Sequence, residues 1–167
     1  MVGLKRCIVA LLSVVYLTFH ADAANNFCAT AINKRLCEKM VKGAPNWNKA
    51  ITKAITVAQR ELAKASKSGN PNCQEAYKDT KDKLKESKVT AKHGNKDGDL
   101  NFQLSAALTS LEDCTNALKD LKEDASAATK LNHGVEQAIR ICLAIDTSSG
   151  GPRKLLQWGR NALKQNR

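Results

Sequence analysis

The chain has 167 residues and a formal charge of +11, from 27 lysines and arginines against 16 aspartates and glutamates. That length suits one domain with a sizeable core, and the basic balance favours nucleic acid, anionic lipid or acidic polysaccharide as partners. No stretch reaches the ~20 apolar residues that a membrane-spanning helix takes, which excludes a helical membrane span.

Residues 1–23 read as a secretory signal peptide: Lys5 and Arg6, an apolar run from Cys7 to Phe19, then the small-x-small close Ala21-Asp22-Ala23. Its removal takes away Cys7 and leaves a mature charge of +10 once Lys5, Arg6 and Asp22 are subtracted. Secretion argues against nucleic acid and puts acidic polysaccharide first among the polyanions. No Asn-x-Ser/Thr acceptor occurs, so N-glycosylation is not expected.

Residues 28 to 42 form a short helical or turn-containing piece, interrupted at Gly43-Ala44-Pro45. From Asn46 one face repeats as Trp47, Ile51, Ala54, Ile55, Ala58, Leu62 and Ala65, which predicts a helix of five turns. It stops at Ser68-Gly-Asn-Pro71. The next helix starts near Asn72 and turns Cys73, Ala76, Tyr77, Thr80, Leu84, Ser87 and Ala91 inward, with lysines outside. After a loop from His93 to Asp99, in which Asp99 can cap the following helix, Leu104, Ala107, Leu108, Leu111 and Cys114 share one inward face. That helix is expected to continue through Leu118 and Leu121 to about Asp124. A last helix takes Ala128, Leu131, Val135, Ala138, Ile139, Cys142 and Ile145 inward and ends at Ser148.

Almost nothing alternates as a strand would, so the fold class is all-α. Four helices of about 20 residues with short loops fit an antiparallel up-down-up-down four-helix bundle preceded by an N-terminal extension. The domain is expected over residues 24–149, followed by a basic amphipathic tail over 150–167.

Five cysteines follow the leader, at 28, 37, 73, 114 and 142, and an oxidising compartment makes two disulfides and one odd thiol the default. Spacing alone does not give their connectivity. Nine residues of continuous helix span about 13.5 Å, whereas bridged Cα atoms sit within ~7 Å, so a Cys28–Cys37 pair requires a turn between them. In a helical hairpin turning near residue 96, Cys73 and Cys114 reach similar heights on inward stripes. A bridge there would be worth ~3 to 4 kcal/mol in the loop-entropy model.

No enzyme constellation is present. His93 and His133 make no His-x-x-x-His metal pair, and neither a Gly-x-Ser-x-Gly elbow nor a phosphate-cradling loop occurs. No metal or cofactor is expected. Glu112-Asp113 and Glu123-Asp124 read as helix-surface charge, and the lysines from Lys78 to Lys92, interleaved with Asp79, Asp82 and Glu86, read mainly as a solvated face.

The run Leu104-Ser-Ala-Ala-Leu-Thr109, followed after four residues by Cys114, resembles the signature of the secreted plant inhibitors of pectin methylesterase and invertase, and the resemblance extends over nearly all of residues 25 to 146. It implies a Cys28–Cys37 pair in an N-terminal helical hairpin, a Cys73–Cys114 pair across the bundle, and a free Cys142. It also implies a non-enzymatic, apoplastic protein that wedges against a cell-wall pectin methylesterase through its middle helices. Lys78, Asp79, Lys85, Gln103, Ser110 and Asp113 are the contact residues suggested there. Between the first two cysteines Ala31-Ile-Asn-Lys34 stands where the family often has Thr-x-Tyr-Pro. Lys96-Asp-Gly-Asp99 replaces the Pro-Lys-Phe of invertase inhibitors, which turns the reading toward the esterase. Arg153, Lys154, Leu155 and Leu156 resemble the processing site that follows the inhibitor-like pro-region of long esterase precursors.

Two other readings stand beside esterase inhibition. One is a wall protein whose lysine face, with Lys78, Lys81, Lys85 and Lys88, holds de-esterified pectin directly. The other is invertase inhibition, disfavoured by the missing tripeptide. Charge poses a question for the first reading: many such esterases are basic, and a +10 partner meets them slowly unless local patches differ from the net charge.

Overall fold

A computed structural model describes residues 27–148, so the leader expected at 1–23 and the tail at 150–167, with Arg153 to Leu156, lie outside the described residues. Within them the chain is helical: α1 (Lys34–Val41), α2 (Trp47–Ser68), a 3₁₀ turn (Pro71–Cys73), α3 (Gln74–Lys92), α4 (Asp99–Asp120) and α5 (Ser126–Ser148). No strand occurs among the described residues.

Local chemistry starts the helices. The Asn33 side chain accepts from the Leu36 amide at 3.1 Å at the head of α1, and Asn46 accepts from Lys49 at 3.0 Å at the head of α2. Each satisfies an amide that would otherwise lack a partner. Asp124 does the same for α5, accepting from both the amide and the hydroxyl of Ser126 at 2.8 Å. The head of α4 departs from the expectation that Asp99 caps it. The cap position is Gly98, at φ 80°, and Asp99 is already helical. The Leu100 amide is instead taken by the side chain of Asn95 at 3.1 Å, a residue that itself sits in the left-handed region at φ 49°.

Four long helices close into a ring in which α2 packs on α3 and α5, and α4 packs on α3 and α5, with α1 against α2. Bonds at their ends give the directions. The Trp47 indole donates to the Ile145 carbonyl at 3.1 Å, joining the start of α2 to the end of α5. Gln74, first in α3, donates to the carbonyl of Ser66 near the end of α2 at 3.2 Å. The Cys73–Cys114 bridge, with Cα atoms 4.5 Å apart, holds the start of α3 beside the later turns of α4. Neighbours in the ring therefore run antiparallel.

The core between them is closed to solvent. Ile51, Ile55, Leu84, Leu100, Leu104, Leu111, Leu118, Ile139 and Ile145 are all less than 2% exposed, each worth about 1.5–3 kcal/mol of transfer free energy. Small residues on α2, Ala50, Ala54, Ala58 and Ala65, let the bulkier stripes of its neighbours approach. The second bridge, Cys28–Cys37 with Cα atoms 5.8 Å apart, closes the hairpin ahead of α1. Cys142 is free and buried in the core, where desolvation pushes its thiol pKa far up, so it stays protonated and inert.

Two leucines depart from the expectation, one in where its helix ends and one in where its side chain lies. Helix α4 ends at Asp120 rather than near Asp124, and Leu121, in its cap, is 56% exposed. The chain turns there through Lys122 at φ 57°. Leu131 is 36% exposed because the centre of the α5 stripe belongs to Asn132, which is 5% exposed. Asn132 accepts from the Tyr77 hydroxyl at 3.0 Å and donates to Cys114 Sγ at 3.4 Å. A polar side chain satisfied in this way is tolerated in the core, and it fastens α3 and α4 to α5 beside the disulfide.

Candidate functional site

Helix α3 has two differently charged sides, and they define the candidate interaction surfaces. At 3.6 residues per turn, Lys78, Lys81, Lys85, Lys88 and Lys92 form one continuous row. Glu75, Asp79, Asp82 and Glu86 form a second row about a third of a turn away. In sequence the two signs alternate; on the helix they are segregated.

The lysine row turns toward α2. All five lysines line a groove of about 840 Å³ whose other residues come from α2 and from both ends of α3, and which has no carboxylate in its lining. Its polar wall is Gln59, Ser66 and Gln74; its apolar floor is Leu62, Ala63, Tyr77 and Val89. Lys88 donates across it to Gln59 Oε1 at 3.3 Å. Lys85 is shared with Asp82 at 3.3 Å, while Lys78, Lys81 and Lys92 have no carboxylate within 4.0 Å among the described residues. Tyr77 contributes only the side of a buried ring: it is 2% exposed, and burial raises its pKa.

The acidic row points outward beside α4. Helix α4 is itself acidic, carrying Asp99, Glu112, Asp113 and Asp120 against the single Lys119. Asn101 hydrogen-bonds Asp146 on α5, which fixes that flank of α4 as the α5 side. Gln103, Ser110 and Asp113 lie on the opposite flank, toward α3. The outer edge of the α3–α4 seam therefore carries Glu75, Asp79 and Glu86 from one helix and Asp99, Asp113 and Asp120 from the other, all exposed. Lys83 is the basic residue within this strip and is neutralised by Glu86 at 3.0 Å.

The six contact residues suggested by the sequence thus fall into two groups. Lys78 and Lys85 are exposed and belong to the α2–α3 groove; Asp79 and Asp113 are exposed on the α3–α4 edge. Gln103 and Ser110, expected to point outward, are half-buried in the seam, and the amide oxygen of Gln103 is enclosed without a hydrogen-bond partner among the described residues. The sequence reading missed the remaining carboxylates of the edge, and Gln59, Ser66 and Lys92 in the groove. The spacing of charge along α3 already carried that signal, because its lysines and its carboxylates each recur at intervals of three and four.

Both histidines among the described residues, His93 and His133, are exposed, and His133 Nε2 lies 3.3 Å from the Gln137 side chain on its own helix. Among the described residues no three His, Cys, Asp or Glu side chains gather to hold a metal ion, and no helix is long and apolar enough to cross a membrane.

Comparison with known proteins adds the family. Residues 22–145 match the sequence profile described as plant invertase/pectin methylesterase inhibitor. Among solved structures, the chain is similar to a mutant form of a pectin methylesterase inhibitor from Arabidopsis. The identity is 17%, the match covers 74% of this chain and 96% of that one, and the TM-score is 0.48. A second similar structure is a pectin methylesterase inhibitor from Arabidopsis thaliana, at 18% identity, 76% and 95% coverage and a TM-score of 0.41. No curated protein matches in sequence. Members of the matched family are inhibitors, not enzymes, and the match spans every helix but the last residues of α5: the chain belongs to the plant invertase/pectin methylesterase inhibitor family.

Proposed function

We propose that this protein is a secreted inhibitor that docks the acidic α3–α4 edge against a basic pectin methylesterase of the plant cell wall and blocks its cleft. The observation that carries the reading is the segregation of charge on α3. A mature net charge of +10 would repel a basic enzyme, but the face built from the middle helices is locally negative, with Asp79, Asp113 and Asp120 exposed along it. Local complementarity governs encounter at an interface more than total charge does. Rigidity helps as well: the Cys73–Cys114 bridge holds α3 beside α4, and Asn132 on α5 ties both through its bonds to Tyr77 and Cys114, so little ordering cost is left for binding. The leader at residues 1–23 would deliver the protein to the apoplast. Arg153 to Leu156 would mark the boundary of the domain with a processing-like sequence.

The test is titration of the purified protein against a panel of cell-wall pectin methylesterases and acid invertases. Inhibition of at least one esterase is expected, together with a loss of about tenfold or more in association rate for Asp79→Lys/Asp113→Lys at low salt. Absence of inhibition across the panel at micromolar concentration would exclude the reading. Inhibition of invertases alone would transfer it to the other arm of the family.

A further inference from the structure

We propose that the α2–α3 groove is a second binding site, for a linear polysaccharide bearing one carboxylate per ring, such as de-esterified galacturonan. The site is independent of the acidic α3–α4 edge. Five lysines stand along one side of the groove, from Lys78 to Lys92, a span of about 21 Å at the rise of an α-helix. They are neighbours at three and four residues, so each repels the next. A row that works against its own helix in this way is what a binding face for a polyanion requires.

The rest of the groove selects among polyanions. Lysine presents a point charge, matched to single carboxylates spaced along a chain, whereas bidentate recognition of phosphates favours arginine; no arginine lines the groove. Single-stranded nucleic acids are held by aromatic side chains on which bases stack. The aromatic residue here, Tyr77, is 2% exposed with its hydroxyl committed to Asn132, so no stacking surface is offered. Sugar rings instead need a shallow apolar floor for their C–H faces and amide or hydroxyl groups for their hydroxyls. Ala63 and Val89, both exposed, provide the first, and Gln59, Ser66 and Gln74 the second. Such a groove would anchor the protein on its wall polymer while the acidic row of α3 stays free.

The experiment measures binding of the purified protein to a de-esterified oligogalacturonate by titration calorimetry, in the absence of any esterase. Binding is expected to weaken by on the order of tenfold between 50 and 200 mM salt, as counterion release requires. It should disappear in Lys81→Glu/Lys88→Glu/Lys92→Glu and be absent with the fully methyl-esterified oligomer. Those three lysines lie outside the proposed esterase contact, so inhibition by the variant should be unchanged; an unaltered circular-dichroism melt shows that it folds. If the reversed variant does not fold, the glutamine series at the same three positions gives the same reading. Three results would each overturn the proposal: binding that survives loss of the three charges, equal binding of the methyl-esterified oligomer, or equal affinity for a single-stranded oligonucleotide. Failure of inhibition with binding intact would count against the esterase reading alone.

Discussion

The two disulfides should differ in their contribution to stability, and the difference tests whether loop closure governs it. All four half-cystines are buried, at no more than 1% exposure, so replacement by alanine removes similar apolar contacts at either site. Their sequence separations are unequal, 9 for Cys28–Cys37 and 41 for Cys73–Cys114. The loop-entropy relation then assigns about 2.7 kcal/mol to the short loop and about 3.9 kcal/mol to the long one. The longer bridge carries a further cost: Cys114 Sγ accepts from the Asn132 side chain, and leaving that buried donor without a partner adds about 1 kcal/mol. The expected loss is therefore about 5 kcal/mol for Cys73→Ala/Cys114→Ala and about 3 kcal/mol for Cys28→Ala/Cys37→Ala. Against a typical total of 5–15 kcal/mol, the first variant is close to unfolding and should melt roughly 15 °C lower. Equilibrium urea denaturation under reversible conditions reads both values. The protonated, buried Cys142 limits thiol exchange while the native fold persists. Equal losses, or a larger loss from the short loop, would refute the loop-closure account, and a Cys73→Ala/Cys114→Ser variant as unstable as the alanine pair would refute the Asn132 contribution.

Two further outcomes follow from the core. The carboxyl of Asp146 is 1% exposed and its pKa is raised by burial, against the smaller opposing effect of bonds from Asn95 and Asn101. A raised pKa in the folded state means stability that is complete below the ordinary value of 3.8 and is lost as pH rises through the native one. Asp146→Asn should thus gain stability relative to the parent as pH rises above about 4; a gap between the two proteins that does not change with pH in thermal melts would show that the carboxyl is not the source. At the end of α2, a Cβ on Gly69 would lie 2.6 Å from Tyr77 Cε2 and 2.7 Å from the Ala65 carbonyl oxygen. Neither partner can yield easily, one being backbone and the other a buried ring bonded to Asn132. Gly69→Ala should cost about 1–3 kcal/mol by overpacking, measured by urea denaturation, and a neutral result would mean that the α2–α3 turn rearranges freely.

Much of this protein could be read from its sequence because helices repeat. Apolar residues at intervals of three and four located all four long helices and most of the core, and the spacing of Cys73 and Cys114 about a turn placed them at matching heights. Periodicity counts apolar residues, however, and so it assigned Leu131 to the interior and carried α4 on through Leu121. It passed over Asn132 and Asp146, which are buried because partners distant in sequence, Tyr77 on α3 and Asn95 in the α3–α4 loop, satisfy them. No one-dimensional pattern contains a hydrogen bond between residues 55 positions apart. The same limit applies to function. That α3 carries a lysine row and a carboxylate row was already written in the order of its residues. Which row faces a groove and which an open edge was decided by the placement of α2 on one side of α3 and α4 on the other. Charge belongs to the residues themselves, but the field a partner meets depends on which residues the packed helices leave side by side in water.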